Sequence, residues 1–203
     1  MGGPAAFAKL KTRVSRGTVE LQAMGLSGTT EIYEESPAKS TMIINVVGLG
    51  TIQQTYDGTI AFLQDPLDGY VRFAPSAAAI LRNDAMIDRP VRFLELNQVL
   101  PVVSKGKVGD RDVFVLRSKT GLGQSWSFDT ETGLLLRKGN SRYEDYREVD
   151  GVKLPFKVTD DTSYGFGVVV RLDEIKHNVP IDPSRFTEHA DCFTQPEQNG
   201  RKR

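Results

Sequence analysis

Tyr143, Glu144, Asp145, Tyr146, Glu148 and Asp150 crowd one short stretch of the chain. Closely placed carboxylates can do general acid–base work when their environments hold them at different pKa values. Here the stretch also alternates like a strand, so charged outer-face positions on a hairpin account for the acids and cross-strand packing for the tyrosines. Other chemistry is thinner still. The sequence has no G-x-S-x-G nucleophile elbow, no H-E-x-x-H, no paired C-x-x-C, no G-x-x-x-x-G-K-[ST] and no G-x-G-x-x-G. Gly121-Leu122-Gly123 lacks the third glycine and falls between strands. Of the two histidines, His177 ends a strand and His189 lies in Glu188-His189-Ala190-Asp191-Cys192. That bunch reads as a polar exposed tail, because structural zinc takes four convergent ligands. No catalytic residue, metal or cofactor is assigned, and a non-enzymatic function is expected.

The composition bounds the rest. The 203 residues are 39% hydrophobic and 26% charged, with 26 basic against 26 acidic side chains. This is the balance of a folded globular chain, and zero formal charge gives no footprint for nucleic acid. The Arg201-Lys202-Arg203 end is a solvated terminus. Cys192 is the lone cysteine, so no internal disulfide forms. No apolar run approaches the roughly 20 residues of a membrane helix. The Met-Gly-Gly-Pro-Ala-Ala-Phe opening lacks a signal-peptide pattern. Either a cytoplasmic protein or one whose leader has been removed is consistent with that opening.

The elements that must position any site are mostly strands. A short helix opens at Pro4, with Phe7 and Leu10 on one face. From Arg16 the period becomes two. Strands are expected at about 16–23, 29–35, 41–47, 51–56 and 59–64, then 99–103, 111–117, 124–128, 133–138, 143–148, 152–159 and 168–175. Asp150-Gly151 signals a tight type I′ hairpin, and Gly133 closes a longer hairpin loop. Pro155 lacks an N–H, which predicts an edge strand or a bulge there. Between them, 75–86 carries strong helix formers and 88–97 opens a second helix at Asp88-Arg89-Pro90. Two helices inside a long meander predict one mainly β (α+β) domain whose helices cover a face of the sheet.

Four runs together carry a family resemblance: G-T-I-Q-Q-T-Y-D-G (50–58), F-D-T-E-T-G-L-L-L-R (128–137), D-Y-R-E-V-D-G-V-K-L-P-F (145–156) and D-E-I-K-H-N-V-P-I-D-P-S-R-F (173–186). The chain resembles the bacterial outer-membrane lipoprotein-sorting, LolA-like group, and most closely its divergent members attached to envelope cytochromes and peptidases. That resemblance implies an incomplete antiparallel β-barrel, a half-barrel with helices on its concave face and an apolar cavity between. It implies a single domain over 1–203, with a core at about 16–188 and a tail at 189–203. It implies a periplasmic carrier whose partner is a hydrophobic small molecule or a lipoprotein acyl chain, with a further envelope protein as a second partner. One departure stands out: the carriers' early-strand R-P-G-x-[FL]-R run has no counterpart in Lys39-Ser40-Thr41-Met42-Ile43-Ile44-Asn45-Val46.

The expected ligand contacts are Met42, Ile44, Val46 and Ile52 from early strands, and Val113, Val115, Trp126 and Phe128 from later ones. Ile80, Leu81, Phe93 and Leu94 would face them from the helices, with Asp84, Asp88 and Arg89 outside. The alternative is that these residues simply pack as a filled core of a structural or interaction module, because periodicity does not separate a lined cavity from a filled one. An enzyme of a different kind would instead show ionisable groups with strongly shifted pKa in a cleft.

Overall fold

The alternation in the sequence becomes a meander. The computed structural model describes residues 2–66, 69–97, 104–119, 124–161 and 167–187. After α1 (Pro4–Phe7) come β1 (Thr12–Leu21), β2 (Leu26–Glu35), β3 (Lys39–Val46), β4 (Gly50–Tyr56), β5 (Ala61–Asp65) and β6 (Gly69–Arg72). α2 (Pro75–Asp84) and α3 (Phe93–Asn97) follow. The second run comprises β7 (Ser104–Val108), β8 (Arg111–Arg117), β9 (Ser125–Asp129), β10 (Leu135–Lys138), β11 (Ser141–Val149), β12 (Val152–Asp160) and β13 (Val168–His177). All pair antiparallel in one 13-stranded sheet, in the order β6-β5-β4-β3-β2-β1-β13-β12-β11-β10-β9-β8-β7. The sheet is open, with β6 and β7 at its two edges. This is the mainly β half-barrel that the resemblance implied.

β1 is the seam, bonded to β2 on one side and to β13 on the other. Because β6 and β7 follow one another in the chain but lie at opposite edges, the chain between them must cross a face. The sheet curls toward that face. Glu34 on β2 and Leu135 on β10 line one cavity of about 210 Å³, although five strand spacings separate them, roughly 24 Å on a flat sheet.

Three apolar clusters lie on the helix-bearing face. Phe7 and Leu10 pack on Val152, Leu154, Phe156 and Ile175, with Ile87 above. Val19, Leu21, Ile44, Val46, Ile52 and Val168 form the second. The third joins Ala78, Leu81 and Ala85 to Tyr56 and Ala61. Each large side chain buried in them stabilises the fold by about 1.5–3 kcal/mol. On the opposite face Val14 and Tyr33 are covered by Phe186, Ile181 and Val179 of the returning C-terminal segment. That segment is held where the Thr41 hydroxyl donates to the Arg185 carbonyl at 2.8 Å.

The structure corrects several boundaries. β6 and β7 were not expected, and the expected strand at 99–103 lies outside the described residues. The second helix is only Phe93–Asn97, with turns at 87–92. A single helical turn does open at Asp88, whose carbonyl accepts from the Val91 and Arg92 N–H groups at 3.0 and 3.3 Å, but regular helix begins only at Phe93. Asp150 and Gly151 have φ of 51° and 78°, the two positive values of a type I′ turn. Pro155 is on an interior strand. It is tolerated because the β12–β13 ladder covers only Lys157 to Asp160, so at Pro155 β12 bonds to β11 alone.

One close approach is decisive for the seam's neighbour. A Cβ added at Gly28 would lie 1.9 Å from the Asn45 carbonyl oxygen and 2.9 Å from Val46 Cα, both backbone atoms of β3. Gly28→Ala should therefore destabilise by about 3 kcal/mol, the upper end for overpacking. Gly106→Ala meets only side-chain carbons at 3.7 and 3.8 Å and should stay within about 0.5 kcal/mol of the parent. Urea denaturation of both variants checks this contrast.

Candidate functional site

β9 supplies two large aromatic side chains to one face of the sheet. Direct pairing places Trp126 opposite Leu116 and Phe128 opposite Phe114, while Val113 and Val115 pair with Asp129 and Ser127. Paired residues share a face and neighbours alternate, so Trp126 and Phe128 look toward the helices together. Phe93 of α3 stands edge-on to both, its ring 5.3 Å from Trp126 and 5.2 Å from Phe128. Such contacts contribute about 0.5–1.5 kcal/mol each beyond burial. These three rings, Pro90 and Leu135 line a chamber of about 440 Å³. Arg89 and Lys138 also line it, beside Asn97, Thr132 and Gly133.

The hairpin loop bearing Thr132 and Gly133 is built around Asp129. Its Oδ1 accepts from the Glu131 and Thr132 N–H groups at 3.0 and 2.7 Å and from the Thr132 hydroxyl at 2.8 Å. Arg111 Nη2 lies 2.8 Å from its Oδ2. The Thr132 backbone N–H leads in holding this carboxyl at about 2, below the usual 3.8, with the hydroxyl, Arg111 and Glu131 adding to it. The F-D-T-E-T-G run is therefore a loop-building element.

A second chamber of about 210 Å³ adjoins the first and shares Arg89, Pro90 and Leu135 with it. Leu154, Leu172 and Ile175 of the sheet face Met86 and Ile87 across it. Arg13 and Glu34 also line it and form a nearly buried ion pair. Asp84 holds the crossing segment down. Its carboxylate pairs with Arg89 and, at 3.0 Å, with Lys138 of β10. The expectation that Asp84 and Arg89 lie outside is thus corrected, since both line this chamber.

The opposite face carries a larger cleft of about 700 Å³, but its character is polar. Lys157 pairs with Glu144 at 2.7 Å, Arg142 with Asp161 at 3.1 Å and Asp145 with Arg147 at 2.6 Å. Asp150 Oδ2 meets His177 Nδ1 at 2.9 Å. The Asp145 carboxyl is pushed down by hydrogen bonds from Arg147, the wrong direction for a general acid at neutral pH. Tyr143 and Tyr146 line both this cleft and the smaller chamber, and burial pushes both phenols up. The Tyr146 hydroxyl donates to the Leu135 carbonyl at 2.6 Å. Among the described residues no group of His, Cys, Asp and Glu is arranged to hold a metal. The 188–192 bunch lies outside them.

The twelve expected contact residues separate into five fates. Phe93, Trp126 and Phe128 line the larger chamber. Met42, Ile44, Val46 and Ile52 do come together, but in the filled cluster with Val19 and Leu21. Leu81 packs against the Tyr56 cluster, while Ile80 is 45% and Leu94 70% exposed. Successive helical residues diverge by about 100°, so Ile80 with Leu81, or Phe93 with Leu94, cannot both face the sheet. Val113 and Val115 point to the other face, because their register partners are Asp129 and Ser127. The sequence reading missed Leu135, Lys138, Arg13 and Glu34. No local signal marks the first two: alternation alone would set Leu135 and Lys138 on opposite faces, and only the register shift between Leu135 and Arg137 brings both beside Phe128 and Trp126.

Neither a family model nor a curated protein matches the chain by sequence. The fold is similar to that of a DUF1329 family protein from Desulfovibrio piger, with 13% identity, 93% of this chain and 94% of that one covered, and a TM-score of 0.58. It is also similar to a domain assigned to outer membrane lipoprotein sorting from Vibrio parahaemolyticus, with 13% identity, coverage of 90% and 92%, and a TM-score of 0.51. A LolA superfamily protein from Nitrosomonas europaea is a weaker likeness, at 15% identity, coverage of 93% and 98%, and a TM-score of 0.49. The chain has a LolA-like fold. Among the described residues no helix is long and apolar enough to cross a membrane.

Two outcomes follow from this geometry. Neither α2 nor α3 contains a buried residue, whereas Ile44 and Val46 of β3 are buried. Amide hydrogen exchange should be faster across α2 and α3 than across β3; equal protection would show a rigid cover. Asp129 sets an acid limit. Its folded pKa lies below the unfolded value, so its contribution is full above about pH 4 and is lost as pH falls toward 2. The stability gap between the parent and Asp129→Asn, followed by denaturant titration, should be constant above about pH 5 and close between about pH 4 and 2.

Proposed function

We propose that this chain is a non-enzymatic periplasmic carrier or binding domain for a hydrophobic ligand, a lipid or a lipoprotein acyl chain. The observation that carries the reading is the chamber of about 440 Å³ walled by Phe93, Trp126 and Phe128 beneath the crossing helices. Small-molecule sites are typically 300–1,000 Å³ and mostly apolar with a few placed polar groups. The polar cleft on the other face is larger, but its charged side chains already have partners on the surface. The LolA-like fold supports the same reading, as does the lipoprotein-sorting assignment of the similar Vibrio domain. The ligand contacts become Phe93, Trp126 and Phe128 with Pro90 and Leu135. The functional unit is one domain over 1–203, with its core at about 16–188.

A second reading, an accessory module of a larger envelope protein with no ligand, is favoured by the filled packing around Ile44, Val46 and Ile52. The neutral dye N-phenyl-1-naphthylamine separates the two. The parent should enhance its emission. Leu135→Phe pushes carbon into both chambers, and should abolish uptake while changing stability by less than about 1 kcal/mol. Ile44→Trp should do the reverse, costing about 1–3 kcal/mol and leaving uptake intact. A parent that takes up no dye sinks the carrier reading and leaves the accessory module.

A further inference from the structure

We propose that the ligand of the helix-covered cleft is a single-chain amphiphile with an anionic head, which Arg89 and Lys138 bind in place of the Asp84 carboxylate. The inference rests on the carrier reading and names the class of its ligand. Its basis is the charge of the larger chamber. Arg89 and Lys138 line that chamber, and no acidic side chain does so among the described residues. Both cations instead share Asp84, which reaches them from the neighbouring chamber.

Asp84 is suited to being displaced. Its side chain is 37% exposed, against 20% for Lys138 and 28% for Arg89. It can turn into water, while the cations stay over the cavity. An incoming carboxylate or phosphate then gains charge-assisted hydrogen bonds in a partly desolvated site. Its chain would run along Leu135 toward Trp126 and Phe128. A volume of about 440 Å³ is near the lower end for small-molecule sites and suits one chain rather than several.

Trp126 is the only tryptophan of the sequence and lies in the chamber wall, so its emission reports binding without a label. Decanoate, decyl phosphate and decanol, matched in chain length, are titrated at pH 8. Both anions should bind about tenfold more tightly than decanol, the size of one charge-assisted hydrogen bond, and the tighter anion identifies the head. Lys138→Gln, shown to be folded by an unchanged far-ultraviolet circular dichroism spectrum, should bring the anions close to decanol. Equal affinity of the parent for anions and alcohol overturns the inference while the carrier reading stands, as does a full anion preference in a folded Lys138→Gln. Binding of none of the three by the parent removes the carrier reading itself.

Discussion

Antiparallel pairing of β1 with β13 is the constraint on which the structure depends. Ten-residue strands at the start and end of the meander lie side by side from Arg13 opposite His177 to Leu21 opposite Val168. That ladder places the first run of strands on one side of β1 and the second on the other, and so sends β6 and β7 to opposite edges. A chain that must travel between those edges has to cross a face. The cavity is thus a consequence of topology: a curled sheet on one side, and on the other a crossing segment whose two helices, α2 and α3, contain no buried residue.

How that segment is held matters more than how it is coiled. α2 offers Ala78 and Leu81 to the sheet, and Ala85 follows as its cap, a stripe of mostly small side chains. Little apolar area is buried, so packing alone holds the cover weakly. Polar contacts add to it where Asp84 meets Lys138. Exposed ion pairs contribute little, about 0–1 kcal/mol, and a half-buried one somewhat more. A cover attached in this way suits the proposed carrier, which would have to load and unload its ligand.

β10 and β11 part company after a short ladder. Only Arg137 with Arg142 and Lys138 with Ser141 are paired between them. Beyond those pairs Tyr146 fills the gap, its hydroxyl on the Leu135 carbonyl and its ring between the polar cleft and the smaller chamber. A phenol suits this position, since its ring packs against the apolar side while its hydroxyl satisfies a strand carbonyl that would otherwise lack a partner.

The local signals in the sequence were enough for the strands and turns. Period two along Val152, Leu154 and Phe156, the Asp150-Gly151 turn and the glycine-closed loop after Asp129 are set by contacts within a few residues, and each appears where it was read. The fold type was legible for the same reason, since turn and strand runs carry the resemblance. What sits opposite what was not. Ile44 and Trp126 have the same apolar alternation, yet one is packed in a buried cluster and the other borders a chamber, because β3 is covered by neighbouring side chains and Trp126 meets Phe93 of a short helix. Helical phase decided between Leu81 and Ile80, and strand register turned Val113 away from Phe128. Lys138 and Asp84 are 54 residues apart, and only the crossing of the sheet brings them together. Periodicity determines which residues share a face of one element; the distance and direction between elements, and therefore the cavity and its charges, come from the tertiary structure.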